Sequence, residues 1–307
     1  MADVKSTAGA LLDMKERQAP MQALQVWKTI GQAQAGCAAL KQAGKRIGVV
    51  PTMGALHDGH LSLVRGSLAQ CDATVVTIFV NPTQFGPGED LSRYPRMWDQ
   101  DLAALSELGV DAVFAPTVEE MYADGTTFVE PPAISKPLEG VHRPGHFRGV
   151  ATIVLKLFHA VPADAAYFGQ KDYQQAMVVS RMVQDLNCPI EMNVLPIVRD
   201  ADGLALSSRN AYLTPADRQR ALALHQTLRD AKNRIEQGCR DGEEISEGML
   251  NSLSDCVDSV EYALLADPAT MDPISAFPKT ISAVIGLIAV YVGKTRLIDN
   301  EIIHVPS

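Results

Sequence analysis

Two histidines three positions apart, His57 and His60, are the first side chains in this sequence whose type and spacing suggest chemistry. They close the segment at residues 51–60, PTMGALHDGH, and a helical pattern of apolar residues begins at His60. Residues three apart lie on one face of a helix, so both imidazoles can contact the same anion. The free N–H groups and the positive dipole end of a helix N-terminus also favour a phosphate. The spacing therefore predicts a phosphate-binding loop.

Two other interpretations of the histidine pair stay open from the residues alone. The imidazoles could be solvated loop side chains, or they could supply half of a zinc site, since this spacing is compatible with metal ligation. No cysteine or further histidine lies close in sequence to complete a tetrahedral set. We therefore expect the pair to bind an anion rather than a metal.

The elements around the pair have to position it. Residues 47–50 form an apolar run typical of a buried parallel strand, which ends at Pro51 because proline cannot donate to a ladder. Gly54 and Gly59 permit a backbone path that other residues resist. The apolar residues that follow at helical spacing are Leu61, Val64 and Leu68. The order strand, loop and helix thus places the histidines at the end of a strand.

Apolar runs and helical patterns alternate along the first two thirds of the chain, which is typical of an α/β fold with a parallel sheet. Further predicted strands cover residues 73–80, 112–115, 165–168 and 194–199. Further predicted helices cover residues 22–42, 95–108, 150–160 and 173–186. From Thr214 the composition changes to long amphipathic helices and then to apolar runs. We expect an N-terminal extension at residues 1–21, a domain with the parallel sheet at residues 22–197 and a C-terminal domain at residues 198–307.

Polar side chains follow several of these strands, where ligands bind in open α/β sheets. Residues 81–86, NPTQFG, follow the strand at 73–80, and Lys171 follows the strand at 165–168. A lysine there can reach a phosphate as a point charge, although its position alone also fits a surface lysine. Two hydroxyls and a guanidinium next to a glycine loop form a second clamp for a polyanion, at Ser207, Ser208 and Arg209.

Composition limits the class of protein. The chain has 307 residues and a formal net charge of -9, which argues against bulk nucleic-acid binding. Its five cysteines lack C-x-x-C spacing and are typical of reduced thiols in a cytosolic protein. The longest apolar run, at residues 281–292, is shorter than the roughly 20 residues of a membrane span. We expect a cytoplasmic enzyme with no membrane segment.

Five motifs together resemble the pantothenate synthetase family. They are PTMGALHDGH at 51–60, IFVNPTQFGPGEDLSRYPR at 78–96, RPGHFRGVATIVLKLF at 143–158, FGQKDYQQ at 168–175 and DGLALSSRNAYL at 202–213. The resemblance implies that ATP, pantoate and β-alanine react through a pantoyl adenylate, releasing AMP and pyrophosphate. It also implies a Rossmann-like nucleotide-binding domain, a smaller α/β C-terminal domain that closes over it, and a homodimer.

The same resemblance implies roles for individual residues. His57 and His60 would hold the triphosphate, with His60 as proton donor, and Lys171 would sit on the transferring phosphate. Substrate contacts would come from Gln84 and Gln175, with Asn81 in the same pocket. The catalytic set would also contain Ser207, Ser208 and Arg209. The nucleotide would be bound by Pro51, Thr52, Met53, Gly54, Ala55, Leu56, Asp58, Gly59, Gly169, Gln170, Asp172, Val198 and Leu206.

Magnesium is implied as the partner of ATP, with Asp101 as an outer-shell contact. Some family members carry two acidic residues where this chain has Gln100 and Asp101, and the chain also departs from the family at Gln170 and Leu206, where many members have glutamate and methionine. A nucleotidyltransferase that stops at an adenylylated product is the alternative, because the histidine motif alone does not separate the two. A tRNA synthetase would need a basic extension. A silent nucleotide-binding protein would be expected to lose a phosphate-contacting group.

Overall fold

A computed structural model describes residues 23–125, 127–278 and 280–306 of the chain. The expected N-terminal extension at residues 1–21 lies outside the described residues. The described part contains two sheets, each covered by helices.

The larger sheet is parallel throughout and contains six strands. They are β1 (Gln25–Trp27), β2 (Ile47–Thr52), β3 (Ala73–Ile78), β4 (Ala112–Phe114), β5 (Ala165–Gly169) and β6 (Glu191–Leu195). Their order in the sheet is β1-β4-β3-β2-β5-β6. The chain runs outward from β2 to β4 on one side and from β5 to β6 on the other. The order therefore reverses between β2 and β5, which is where open α/β sheets bind ligands.

Helices cover both faces of this sheet because the residues of its central strand alternate between the faces. Ile47 and Val49 of β2 pack into one apolar cluster, whereas Val50 packs into another. The helices are α1 (Ile30–Gln42), α2 (Asp58–Gln70), α3 (Trp98–Glu107), α4 (Val118–Tyr122), α5 (Glu139–His142), α6 (His146–Ala160) and α7 (Tyr173–Asp185). Buried residues of α1, α6 and α7 belong to the first cluster, and those of α2 and α3 to the second.

The smaller sheet is antiparallel and lies in the C-terminal part of the chain. Its strands are β7 (Ser259–Ala266), β8 (Ala283–Val292) and β9 (Thr295–His304), and its helices are α8 (Pro215–Ala221), α9 (Ala223–Glu236) and α10 (Gly242–Ser254). These elements share an apolar core of their own. The predicted fold class, a Rossmann-like parallel sheet with a smaller C-terminal domain, is confirmed.

The longest apolar run of the sequence forms β8, the central strand of the smaller sheet. Its side chains are almost all buried because both faces of the strand are covered. None of the helices in the described ranges is long and apolar enough to cross a membrane.

Two sequence-based boundaries were wrong. Residues 22–42 were expected to form one helix, but β1 precedes α1, and Trp27 pairs with Phe114 of β4. The helix begins after Thr29, whose hydroxyl and the side chain of Gln32 form a capping box, and a three-residue strand is too short to show its own period. The last parallel strand was expected at residues 194–199 but ends at Leu195, because Pro196 has no N–H to donate.

Candidate active site

A cleft with a cavity volume of about 200 Å³ opens at the carboxyl ends of β2 and β5. It brings together residues from segments that are far apart in sequence. The predicted residues that line it are Pro51, Thr52, Met53, His57, Gly59, His60, Asn81, Gln84, Gly169, Lys171, Asp172, Gln175, Val198, Leu206, Ser207, Ser208 and Arg209. The fold therefore gathers most of the predicted site in one place.

The loop after β2 is held from behind by Asp101 of α3. Its carboxylate accepts hydrogen bonds from the backbone N–H groups of Ala55, at 2.9 Å, and Leu56, at 2.8 Å. Burial raises the pKa of Asp101, and the two backbone hydrogen bonds lower it only in part. The turn needs this support because Gly54 and Ala55 both have positive φ angles, of 81° and 50°.

This geometry gives Asp101 a role in holding the loop, and its contact with the outer shell of a metal stays a prediction. The side chain is 3% exposed and is not among the residues that line the cleft. Both of its oxygens accept hydrogen bonds from the loop backbone, so the carboxylate positions the loop. Gly54, Ala55, Leu56 and Asp58 also lie outside the cleft lining and form the framework of the loop.

His57 is the N-cap of α2, and its ring has a defined tautomer. Nδ1 of His57 accepts a hydrogen bond from the N–H of Gly59 at 3.1 Å. Burial and, to a smaller extent, the nearby Lys171 together lower the pKa of His57 to about 4, so the ring is neutral at pH 7. With Nδ1 acting as acceptor, the proton of the neutral ring is on Nε2. The ring therefore presents an N–H donor on its other side.

The ring of His60 lies beside that of His57, with 4.1 Å between the ring centroids and 39° between the ring planes. Burial, as the larger cause, and the nearby His57 together lower the pKa of His60 to about 3. Its Nδ1 is buried and has no hydrogen-bond partner among the described residues. Two neutral imidazoles thus stand together at the N-terminus of α2, which begins at Asp58 rather than at His60.

Gly59 is required for a different reason from the one expected. The sequence suggested that it supplies an unusual backbone conformation, but it lies within α2 and is not among the residues with positive φ. A Cβ at this position would lie 2.8 Å from Cε1 and 2.9 Å from Nδ1 of His57. The residue therefore leaves room for the imidazole.

The turn after β5 supplies Lys171 and Asp172 to the cleft. Lys171 lies close enough to His57 and His60 to lower the pKa of both imidazoles. Desolvation raises the pKa of Asp172, but Lys171 and Arg209 outweigh it and hold the pKa below its usual value. A cation and a carboxylate therefore face the histidines from the neighbouring strand.

Gln170 does not line the cleft, although the resemblance assigned it to the nucleotide. Its Nε2 donates a hydrogen bond to Oδ1 of Asn300 at 3.2 Å, so the side chain is turned toward β9. The glutamine thus contacts the C-terminal sheet.

The segment at residues 206–209 approaches the histidine loop from the C-terminal part of the chain. Ser207 caps a short 3₁₀ turn by accepting the N–H of Arg209, and Ser208 Oγ donates to the carbonyl oxygen of Ala55 at 3.3 Å. Arg209 makes two hydrogen bonds with the carboxylate of Asp90, at 2.9 and 2.8 Å. A charged group and two hydroxyls are therefore held across the cleft from the histidines.

Gln84 is oriented by a buried neighbour, Asn81, which is 1% exposed. Nδ2 of Asn81 donates to Oε1 of Gln84 at 3.0 Å and to the carbonyl oxygen of Gly149 at 3.2 Å. Its Oδ1 accepts from the hydroxyls of Thr83 and Tyr122. Because both N–H groups of Asn81 are used, the structure places this residue behind Gln84 rather than leaving its amide for a substrate.

Helix α6 packs closely against the turn that carries Gln84. A Cβ on Gly149 would lie 2.4 Å from the carbonyl oxygen of Thr83, so only glycine fits at this contact. His146 Nδ1 lies 2.9 Å from the carbonyl oxygen of Gln84. Burial, as the larger cause, and the nearby Arg143 together lower the pKa of His146 to about 4. The ring is therefore neutral at pH 7. The backbone of Gln84 is thus fixed as firmly as its side chain.

An apolar wall of the cleft was not predicted as part of the site. The sequence predicted only a helix over residues 150–160, yet four side chains of α6 face the cavity at helical spacing. They are Val150, Ile153, Val154 and Leu157, and Phe79 and Phe168 complete the wall. The spacing was visible in the sequence, but nothing in it showed which face of α6 meets the ligand. Tyr94 also lines the cleft.

Comparisons with known proteins identify the chemistry that this arrangement serves. A family model described as Pantoate-beta-alanine ligase matches residues 25–302. Pantothenate synthetase from Koribacter versatilis is 50% identical over 283 residues, covering 92% of this chain and 96% of that protein. Pantothenate synthetase from Thermotoga neapolitana is 53% identical over 267 residues, covering 86% and 94%.

Solved structures agree with the sequence matches. A crystal structure of pantothenate synthetase from Thermus thermophilus superposes with a TM-score of 0.84 at 42% identity, covering 91% of this chain and 99% of that chain. Pantoate-beta-alanine ligase from Francisella tularensis, complexed with beta-gamma ATP and beta-alanine, has a TM-score of 0.76 at 36% identity, covering 91% and 97%. The chain therefore belongs to the pantoate-beta-alanine ligase family.

Proposed function

We propose that this chain joins pantoate to β-alanine through a pantoyl adenylate, with the residue roles given below. One observation carries the proposal. Groups suited to phosphates and amides suited to a hydroxy acid line a single cleft at the switch point of the parallel sheet. An enzyme that activates one substrate with the other needs both kinds of group within reach of the same atoms.

The chemistry takes two steps because a carboxylate is a poor acyl donor. A carboxylate oxygen of pantoate attacks the α-phosphorus of ATP, and the bond to the bridging oxygen of pyrophosphate breaks. The amine of β-alanine then attacks the activated carbonyl carbon, AMP leaves with the electron pair, and the amine loses a proton. The first step needs positioning and charge stabilisation more than proton abstraction.

The phosphates are assigned to the two histidines and Lys171. His57 offers its Nε2–H to a phosphate oxygen, and His60 has a buried Nδ1 that the described part of the protein leaves without a partner. Both rings are neutral in the free protein, so they begin as hydrogen-bond donors. The negative charge of a bound triphosphate raises their pKa values and so favours the protonated form, in which His60 can act as a proton donor. Lys171 supplies the fixed positive charge beside them.

The leaving pyrophosphate is assigned to the segment that carries Ser207, Ser208 and Arg209. In this structure Arg209 is paired with Asp90, so contact with pyrophosphate exchanges one anionic partner for another. The nucleoside lies against Val198, with Gly169 and Asp172 at the ribose. The neighbours of Val198 in the cleft wall, Pro196 and Ile197, offer the flat apolar contact that an adenine ring needs.

Pantoate is assigned to Gln84 and Gln175. Pantoate carries two hydroxyls and a carboxylate around a carbon with two methyl groups. The amides of Gln84 and Gln175 serve the polar groups, and the apolar wall of α6 faces the methyl groups. A site with both features discriminates pantoate from an unbranched hydroxy acid.

Magnesium enters with ATP in this proposal, and it neutralises phosphate charge in the transition state. No group of three histidine, cysteine, aspartate or glutamate side chains in the described ranges could hold a metal ion. Mg²⁺ keeps several waters and binds substrate phosphates, so it does not need an all-protein cage. We therefore propose that the ion is coordinated by the triphosphate and by water.

The C-terminal part of the chain is proposed to act as a lid with its boundary at Val198. The support is that β6 ends at Leu195, while Leu204 already packs in the C-terminal core. The resemblance supports a homodimer, which light scattering of the purified protein would test. A cytoplasmic location fits the use of ATP and the five cysteines, which form no disulfide among the described residues.

The proposal is tested by exchange of labelled pyrophosphate into ATP. Exchange should require pantoate and proceed without β-alanine, because the adenylate forms before the amine enters. Release of AMP should require all three substrates when measured over many turnovers. Exchange that needs β-alanine, or that proceeds without pantoate, would contradict the two-step reaction.

A further inference from the structure

The turn that carries Lys171 is held by a side chain from the C-terminal sheet. Nδ2 of Asn300, on β9, donates to the carbonyl oxygens of Gln170 at 3.0 Å and Lys171 at 2.9 Å. Its Oδ1 accepts the amide of Gln170. Asn300 is 2% exposed, and both of its N–H donors are used on this turn. One buried amide therefore fixes two consecutive backbone carbonyls next to the cleft.

Asn300 is itself held in place by its neighbour Asp299. Oδ1 of Asp299 accepts the backbone N–H of Asn300 at 2.8 Å. The same carboxylate forms two hydrogen bonds with Arg199, at 2.7 and 3.0 Å, and Arg199 also donates to the carbonyl oxygen of Gly203. Asp299 is 3% exposed, so displacing Asn300 would disturb a buried ion pair. β9 is thus tied both to the turn after β5 and to the loop that leads to Ser207.

We propose that Asn300 is a positioning residue for Lys171, so that docking of the C-terminal sheet sets where the lysine acts. The inference rests on the proposed role of Lys171 in adenylate formation. A lysine side chain is long and flexible, so the place of its ammonium depends on the backbone that carries it. A shift of about 1 Å in a catalytic group can lower a rate by about a hundredfold. The C-terminal sheet then contributes to chemistry as well as covering the cleft.

Simple attachment of the two sheets to each other is the competing explanation, and the fold offers a control for it. Tyr262 of β7 donates its hydroxyl to Oε1 of Glu139 at 2.6 Å, and Tyr262 is 8% exposed. This buried hydrogen bond also joins the C-terminal sheet to the other part of the chain, but it does not involve the turn of Lys171. Tyr262→Phe removes one such contact and leaves Asn300 in place.

The experiment is a double-mutant cycle on pantoate-dependent exchange of pyrophosphate into ATP. Asn300→Asp keeps the size of the side chain but replaces its two N–H donors with an oxygen that faces two carbonyls. In the chain with Lys171, this change should lower the maximal exchange rate by about tenfold or more, with a change of less than about threefold in the KM for ATP. In the Lys171→Ala chain it should lower the rate by less than about threefold, because the group it positions is gone.

The Tyr262→Phe variant should keep its exchange rate within about twofold of the parent. If Asn300→Asp does not fold, which thermal unfolding would show, Asn300→Ala takes its place in the cycle. Equal losses with and without Lys171, or an equal loss in Tyr262→Phe, would overturn the inference while the parent chain still exchanges. Absence of exchange in the parent chain would instead contradict the proposed function.

Discussion

The amide of Asn81 donates a hydrogen bond to Oε1 of Gln84 at 3.0 Å, and this contact fixes which half of the Gln84 amide is free. Nε2 of Gln84 lies 3.4 Å from Sδ of Met53, and a thioether sulfur is a weak acceptor. The N–H groups of Gln84 are therefore the part with hydrogen-bonding capacity left for a ligand. That is the chemistry that a carboxylate or hydroxyl oxygen of pantoate requires.

Replacing Gln84 with alanine should weaken pantoate selectively. A buried hydrogen-bond partner left unpaired costs about 1–3 kcal/mol, which corresponds to a rise of about 5- to 150-fold in the KM for pantoate. The KM for ATP should stay within about twofold, because the amide belongs to the acid pocket. The measurement is separate titration of pantoate and ATP in the exchange assay. Equal losses for both substrates would show that Gln84 supports the loop rather than the acid.

Changing Asn81 to aspartate should reproduce part of this effect from behind the pocket. The carboxylate cannot donate to Gln84 or to the carbonyl oxygen of Gly149, so Gln84 loses its orientation. We expect the KM for pantoate to rise by about fivefold or more. Tyr122→Phe is the control, because it removes only a hydroxyl that donates to Oδ1 of Asn81. A larger effect from Tyr122→Phe than from Asn81→Asp would refute this role for the Asn81 donors.

Gly59→Ala should displace His57 while leaving the helix intact. The added Cβ would lie 2.8 Å from the imidazole, so the ring must move away from its place in the cleft. We expect the exchange rate to fall by about 10- to 100-fold. Gly31→Ala is a matched control, since it is also the second residue of its helix and a Cβ there meets nothing within 4 Å. Its activity should be unchanged and its stability raised by up to about 1 kcal/mol. Equal activity in the two variants would contradict the steric argument.

The two active-site histidines should make the fold less stable in mild acid. Their pKa values in the folded protein are about 4 for His57 and about 3 for His60, below the value of about 6.5 for a free imidazole. The unfolded chain therefore binds protons below pH 6.5 that the folded chain does not, and the unfolding free energy falls as the pH decreases from 6.5 toward 4. Above pH 6.5 this contribution is fully present.

The check is denaturant unfolding of the parent and of His60→Gln between pH 7.5 and 4.5. Below pH 6.5, the unfolding free energy of the parent should fall more steeply with decreasing pH than that of His60→Gln. The difference in slope should correspond to about one bound proton. The difference between the two chains isolates the histidine from the carboxylates that titrate nearby. Parallel curves would mean that His60 is protonated at the same pH in both states.

The parts of the site that the sequence predicted are those that depend on local spacing. The strand, loop and helix around His57 and His60, and the polar residues after β3 and β5, follow from periodicity and from the rule for parallel sheets. Contacts between distant segments were not predictable. Asp101 lies 46 residues from Ala55, and Asn300 lies 129 residues from Lys171. No local sequence pattern marks such pairs. Each contact nevertheless determines what a residue does, since Asp101 holds the histidine loop and Asn300 holds the turn of Lys171.

Strand β1 shows a second limit of sequence reasoning. Leu24, Trp27 and Ile30 repeat at helical spacing, yet Trp27 lies in a three-residue strand that is fixed by pairing with β4. Thr29 and Gln32 form a capping box where the helix begins, a local signal that the prediction of one helix over residues 22–42 did not use. A three-residue edge strand has no period of its own that could compete with the helical spacing. Pairing with β4 therefore determines that this segment is a strand rather than part of a helix.

The Asp101→Asn substitution separates a loop-positioning role of Asp101 from a metal role. Asp101→Asn keeps the shape but replaces one carboxylate oxygen with an N–H₂ group, so either Ala55 or Leu56 loses the acceptor for its backbone N–H. A buried donor without a partner costs about 1–3 kcal/mol, so denaturant unfolding should show a loss of stability of that size. The KM for ATP should rise because the loop that carries His57 is less well held. The Mg²⁺ concentration for half-maximal exchange at saturating ATP should stay the same, since the carboxylate is directed at the loop backbone.

Asp99→Asn is the control. Asp99 is exposed in the first turn of the same helix, so removing its charge has the same effect on the helix dipole. A raised Mg²⁺ requirement with unchanged stability in Asp101→Asn would return this residue to the outer shell of the metal.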